Sequence, residues 1–267
     1  MSYEQSASVY DAIYEQTKDY AQEAELLHRL IEQLKLTSGN RLLDVACGTG
    51  LHDQYLQEWY EVEGLDLSEA QLAIARNRLP VMRFYHDNMV TFDLGERYDA
   101  ITCLFSAIGH LKYEELQSGI ANMARHLLPG GVILVEPWLQ PYMWQEGHIS
   151  IESIDLPDLK VARICRSFLE GRTTRLEMSY LVGRPQGTEH FTEVIEATLF
   201  TQNEYLEAFK AASLDVSFDP NGINNNGRGI FIARKPIRDW TTAAMQTATP
   251  LPIQGDSGEW YIPDQSA

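Results

Sequence analysis

Residues 42 to 50 read LLDVACGTG, an apolar run that ends in a glycine-spaced loop, and a second apolar run, VEGLD, closes on Asp66. This pair of features constrains the fold more than any other stretch of the chain. Glycine at a strand end lets the backbone approach a ligand where a side chain would block it. An acid at the tip of the next strand can accept both hydroxyls of a ribose. The spacing predicts a strand–loop–helix unit that binds an adenosine-type cofactor, with an ordinary strand-to-helix turn as the alternative.

The place of a third glycine separates the nucleotide families that share this layout. Dinucleotide-binding loops have a glycine there, which lets the helix pack tightly under a pyrophosphate; this chain has Asp53, an acid that would repel phosphate. A nicotinamide oxidoreductase is disfavoured on that ground. The phosphate-loop pattern is excluded too, because no Lys followed by Ser or Thr comes after Gly50. A cofactor without phosphates fits better. At this point the residues resemble the class I S-adenosylmethionine (SAM) methyltransferases. That resemblance implies SAM as cofactor, with Ala46, Cys47, Gly48 and Gly50 in the loop and Asp66 with Leu67 at the tip of the second strand.

The rest of the chain agrees with an α/β fold, a doubly wound and mostly parallel sheet. Leu26, Leu27, Leu30, Ile31 and Leu34 recur at helical spacing, so a helix leads into the first strand. Ser68 and Gln71 form a capping-box pattern for a helix that Pro80 ends. VMRFYHD and YDAITCLF read as the third and fourth strands, a helix runs from about Tyr113 to Leu127, and VILVEPW is the fifth strand. Strands alternating with helices imply parallel pairing through right-handed crossovers. Beyond Trp138 the pattern changes: residues 161 to 169, 173 to 182 and the stretch EVIEATLF read as an antiparallel flap inserted at about 141–200. A helix opened by Thr201 and Glu204 and two last strands, LDVSFD and GIFIARK, return the chain to the main sheet. One methyltransferase domain over residues 1–237 is expected, followed by a loose tail at 238–267 rich in polar and turn-forming residues.

Composition narrows the partners. With 267 residues and 44% hydrophobic content, a single large domain can bury a full core. A formal net charge of −17 argues against a sequence-independent grip on nucleic acid or anionic membrane, which depends on basic surface. Cys47, Cys103 and Cys165 are far apart and form no C-x-x-C pair, which points away from a zinc site and towards reduced thiols. The first residues carry no signal-peptide pattern. A cytoplasmic enzyme with a small-molecule acceptor, monomeric or homodimeric, is the expectation.

Several strings go further. LLDVACGTG, FSAIGHL, PGGVILVEPW and GRGIF, with the early YD and KDY pairs, resemble the N,N-dimethyltransferases of nucleotide-linked 3-amino-3,6-dideoxyhexoses, the desosamine and mycaminose type, from about Tyr3 to Arg234. By this resemblance His110 lies close to the sugar amine, Tyr3 reaches the site from the amino terminus, and Tyr20 is near the cofactor. It also implies a Gly-Asp-Met contact to adenine. The register here gives Asp87, Asn88 and Met89, so either Asp87 or the Asn88 amide oxygen could accept the adenine amino group. Phe105 and Ser106 follow the fourth strand; Ala107 stands where the family has a second serine, and Trp138-Leu139-Gln140 replaces a more aromatic run.

Methyl transfer needs a nucleophile aligned with the sulfur–methyl bond, and an amine attacks only when neutral. A histidine, with a reference pKa near 6.5, can take its proton around neutral pH. His110 is the candidate base and Tyr3 its companion, while Ser106 and Trp138 are candidate substrate contacts. Two phosphates on an acidic protein call for arginine: Arg163 and Arg175 on the flap are the preferred pair, with Arg228 in the late glycine loop. The expected function is SAM-dependent N-methylation of a nucleotide-linked amino-deoxysugar. Methylation of another small amine or hydroxyl, and SAM binding without turnover, are the alternatives.

Overall fold

A computed structural model describes residues 3–223 and 227–237, together with two short strands, Ile253–Gln254 and Trp260–Tyr261, which pair antiparallel. The expected loose tail otherwise lies outside the described residues. The chain opens with helix α1 (Ala7–Tyr14), which the sequence reading lacked because eight residues give too few turns for a clear periodicity. Helix α2 (Tyr20–Leu34) follows; Asp19 caps it by accepting the Gln22 N–H at 3.0 Å, a contact type that contributes about 1 kcal/mol. Leu27, Leu30, Ile31 and Leu34 form its buried stripe, each contributing roughly 1.5–3 kcal/mol of apolar burial.

The main sheet contains β1 (Arg41–Val45), β2 (Glu61–Asp66), β3 (Arg83–His86), β4 (Tyr98–Cys103), β5 (Leu127–Val135), β10 (Asp215–Asp219) and β11 (Ile230–Arg234). Its spatial order is β10-β11-β5-β4-β1-β2-β3; the five strands from β5 to β3 run parallel and β11 runs antiparallel to both neighbours. β4 is buried at every position, as expected of a central strand covered on both faces. The connecting helices are α3 (Asp53–Leu56), α4 (Glu69–Arg78), α5 (Leu116–Arg125) and α6 (Gln202–Ala211). Ser68 caps α4 and Thr201 with Glu204 closes a full capping box on α6. The predicted helix from Tyr113 divides into a short 3-10 turn, Tyr113–Glu115, and α5.

The flap has four antiparallel strands: β6 (Ile149–Leu156), β7 (Leu159–Glu170), β8 (Thr173–Arg184) and β9 (Gly187–Thr198). β6 was not expected. It places Ile149 and Ile151 outward at 64% and 70% exposure and only Ile154 among its isoleucines inward, so its apolar residues do not follow one buried face. The inner face carries Ile154, Val161, Met178, Tyr180, Val182 and Ile195, which pack on Val9 and Ile13 of α1. α1 is therefore wedged between the flap and the carboxyl ends of the main strands. Among the described residues no helix is long and apolar enough to cross a membrane, and the three cysteines are free thiols.

Candidate functional site

The carboxyl ends of β1 to β4 and the first residues of the chain enclose a cavity of about 380 Å³. Of the sequence-predicted site residues, Tyr3, Ala46, Gly48, Asp66, Leu67, Asp87, Asn88, Met89, Phe105 and His110 line it.

One half is built on backbone geometry. After β1, Ala46 turns left-handed at φ 63°, and its N–H and that of Cys47 both donate to the Leu65 carbonyl, at 2.6 and 3.0 Å. Gly48 at φ 58° then brings its own N–H to Asp66 Oδ2 at 2.8 Å, while Asp66 Oδ1 accepts the Ser68 N–H at 2.8 Å. Burial pushes the Asp66 carboxyl above its ordinary pKa, and these backbone N–H groups pull it back part of the way. Asp66 lines the cavity, and each of its oxygens retains acceptor capacity beyond these bonds, which is what a ribose diol requires. Asp87 Oδ1 accepts the Asn88 N–H and Asn88 Oδ1 accepts the Val90 N–H, so both side chains also shape their own turn. A Cβ on Gly48 would come within 2.6 Å of Gln71 Oε1, a cavity-lining residue that sequence reading took only as a helix cap.

The other half is assembled from distant segments. His110 ends a 3-10 turn, Ala107–His110, and its Nδ1 donates to the Glu196 carbonyl of β9 at 2.9 Å. That bond fixes the neutral tautomer with Nε2 as the acceptor nitrogen. The protein packed around His110 lowers its pKa below the ordinary histidine value although the side chain remains open to the cavity, so the ring is neutral at pH 7. Tyr3 stands edge-on to it, ring centroids 5.7 Å apart, and Tyr10 lies 5.4 Å from Tyr3. Phe105 and Ser106 are both left-handed, at φ 50° and 64°; Glu136 Oε2 accepts the Phe105 N–H at 2.7 Å and holds this strained corner. Tyr14 packs against Phe105 at 4.9 Å. Tyr10 and Lys112 also line the cavity and were missed: Tyr10 stood in the quoted YD pair, and Lys112 gave no sequence signal at all.

Eight expected residues do not line the cavity. Cys47 is turned beneath the loop, where its Sγ fills the space a Gly64 Cβ would need, and Gly50 packs over Ala75 and Leu79. Tyr20 packs edge-on to His52 and borders a neighbouring shallow hollow with Lys18. The Ser106 hydroxyl donates to the Pro137 carbonyl at 2.9 Å and accepts from Arg228 at 2.8 Å. The Trp138 indole donates to Thr174 at 3.2 Å, and its Cβ occupies the space that a side chain on Gly109 would fill. Arg228 lies over Trp138. Arg163 is buried, bonded to Tyr14 and paired with Glu152, because the inner face of the flap is an interior surface. Arg175 belongs to the outer face, level with Phe168, and pairs with Glu177 at 3.3 Å. Asp53 also departs from expectation. It is fully buried beneath the loop, and burial beside Asp44 pushes its carboxyl well above the ordinary range, with Arg78 opposing the shift.

Comparison with known proteins places this geometry. The family profile described as a methyltransferase domain matches residues 42–131. The chain is 42% identical over 229 residues to the dTDP-3-amino-3,6-dideoxy-alpha-D-glucopyranose N,N-dimethyltransferase of Streptomyces fradiae, covering 84% of this chain and 89% of that one. The crystal structure of DesVI from Streptomyces venezuelae superposes with a TM-score of 0.81 at 40% identity, covering 86% of this chain and 98% of that one. SAM-bound CalS10, an amino pentose methyltransferase from Micromonospora echinaspora, gives a TM-score of 0.76 at 39% identity, covering 85% and 96%.

Proposed function

Because the chain belongs to the SAM-dependent N,N-dimethyltransferases of nucleotide-linked amino sugars, we propose that it methylates the amine of such a sugar, with the cofactor held by Asp66 and the acceptor met by His110. The observation that carries the residue assignment is that one cavity holds both side chains.

SAM supplies an electrophilic methyl group on a sulfonium, whose departure leaves a neutral thioether. The chain's own residues hold the partners in line and handle one proton. Asp66 would accept hydrogen bonds from the ribose hydroxyls and Asp87 or Asn88 one from the adenine amino group, with Leu67 and Met89 on the same stretch of cavity wall. The fit is supported by the glycine loop, which admits the cofactor backbone-on, and by the acceptor capacity left on Asp66. His110 Nε2 takes the proton that the amine must lose, because Nδ1 is committed to Glu196. Tyr3 walls the acceptor side. Arg228, near Ser106 at the adjoining rim, is assigned to the phosphates in place of Arg163 and Arg175. The domain proposal is one methyltransferase unit over 1–237 carrying the flap, working in the cytoplasm, where its free thiols stay reduced.

The test is mass spectrometry of the purified protein with SAM and a thymidine-diphosphate 3-amino-3,6-dideoxyhexose, following product mass and S-adenosylhomocysteine together. Gains of one and then two methyl masses are expected. SAM binding with an unmodified sugar would sink the acceptor assignment and favour another small amine or hydroxyl. Ala107, apolar on the cavity wall, is the feature that keeps this second reading open.

A further inference from the structure

The amino-terminal segment closes the acceptor side of the cavity, and one buried acid holds it there. Tyr3 has φ 64°, a left-handed conformation that a non-glycine residue keeps only where its surroundings enforce it. The enforcement comes from the flap. Glu193 of β9, 7% exposed, accepts the Ser6 hydroxyl through Oε2 at 2.6 Å and the Gln5 N–H through Oε1 at 3.3 Å. Ser6 is also the N-cap residue of α1, where a serine side chain ordinarily accepts a backbone N–H of its own helix. Here it makes no such bond, and its hydroxyl is given to Glu193 instead. A local rule is broken in favour of a contact 187 residues away.

The same strand supplies the other half of the arrangement. Glu196, three residues along β9, gives the carbonyl that holds His110 Nδ1. One rigid strand thus sets the positions of both Tyr3 and His110, whose rings meet at 5.7 Å. Glu193 itself does not line the cavity and has no part in the chemistry described above.

We propose that Glu193 is a positioning residue for methyl transfer: it clasps residues 5 and 6 so that Tyr3 forms the wall that orients the acceptor amine against His110. The inference rests on the reading of His110 as the acceptor-side residue, and not on the identity of the acceptor.

Glu193→Ala should lower kcat/KM for the acceptor on the order of tenfold to thirtyfold, as expected for loss of two bonds to a buried carboxylate. S-adenosylhomocysteine affinity, read by calorimetry, should stay within about twofold of wild type. Glu193→Gln, which keeps an acceptor oxygen for Ser6, should restore most of the loss. Ser6→Ala should cost several-fold, and should add little on top of Glu193→Ala because both remove one interaction; it carries the test if Glu193→Ala does not fold. Hydrogen exchange of residues 3–14 should rise in both variants. Unchanged kcat/KM, or an equal fall in S-adenosylhomocysteine affinity, overturns the proposal. If wild-type protein leaves the nucleotide sugar unmodified, the acceptor reading has failed on its own. The clasp is then judged by exchange, and protection of residues 3–14 equal to wild type in Glu193→Ala overturns it.

Discussion

The two halves of the cavity, one assigned above to the cofactor and the other to the acceptor, are built by different means. In the cofactor half, Asp66 is held by the N–H groups of Gly48 and Ser68, 18 and 2 residues away, within one strand–loop–strand unit. In the acceptor half, His110 is held by Glu196 across 86 residues, and two residues that adjoin the cavity without lining it, Trp138 and Ser106, are held by Thr174 and Arg228 across 36 and 122 residues. The first half depends on short backbone geometry and will tolerate variation elsewhere. The second depends on how the flap, the amino terminus and the β4–β5 ends dock on one another.

The strongest test of this division is His110. His110→Ala should lower kcat/KM by about a hundredfold to a thousandfold through loss of the general base, with S-adenosylhomocysteine affinity unchanged. Because surrounding protein lowers its pKa, the base is neutral above the ordinary histidine value and becomes protonated as pH falls below it. The wild-type pH profile should therefore show an acidic limb below about 6.5 beyond the fall caused by protonation of the acceptor amine itself, and the variant should keep only the latter. An equal loss of cofactor affinity in a calorimetric titration would break the separation between the two halves.

Asp66 tests the other side. Asp66→Ala removes the acceptor for the ribose and also frees the Gly48 and Ser68 N–H groups from their shared anchor. SAM affinity should fall by about thirtyfold to a hundredfold, the scale for losing bonds to a buried charged group. Unchanged affinity would mean that the ribose lies elsewhere.

The same contrast explains what was legible in the chain. The succession of parallel strands and helices along the chain, the α4 and α6 caps and the loop from Ala46 to Asp66 follow from periodicity and local residue chemistry, and the sequence pattern carries them. Helix α1 and strand β6 did not show, because one is short and the other exposes two of its three isoleucines. Arg163 and Arg175 looked alike as flap arginines. Only strand register separates them, placing one inside against Tyr14 and the other outside against Glu177. Asp53 read as an acid that would repel phosphate, but the structure buries it beneath the loop, where burial pushes its carboxyl up. Cys47 and Gly50 sit in the right loop, but a motif does not say which of its side chains turn away from the ligand.

Gly48→Ala sharpens the comparison from within the loop. A left-handed alanine costs on the order of 1–2 kcal/mol, and its Cβ would press on Gln71, so SAM affinity should drop about tenfold. The acceptor KM at saturating SAM should hold steady. A rise in acceptor KM of similar size would show that the loop also shapes the acceptor side.

The smallest effect discriminates between arginines. Arg228 touches Ser106 and lies over Trp138, at the ends of β4 and β5, whereas Arg175 faces outward with Glu177. If Arg228 meets the phosphates, Arg228→Ala should raise the nucleotide-sugar KM by about threefold to tenfold, and the penalty should shrink as salt screens the contact. Arg175→Ala should leave KM unchanged, since an exposed pair with Glu177 contributes little to anything. Part of any Arg228 effect could arise through the Ser106 hydroxyl that it contacts, so Ser106→Ala is the control. A KM change that Ser106→Ala reproduces in full would make Arg228 a brace for the strained Phe105–Ser106 corner rather than a phosphate contact. That would leave the acceptor half with its shape explained and its charge recognition still to be found at Lys112, the one lysine or arginine among the residues that line the cavity.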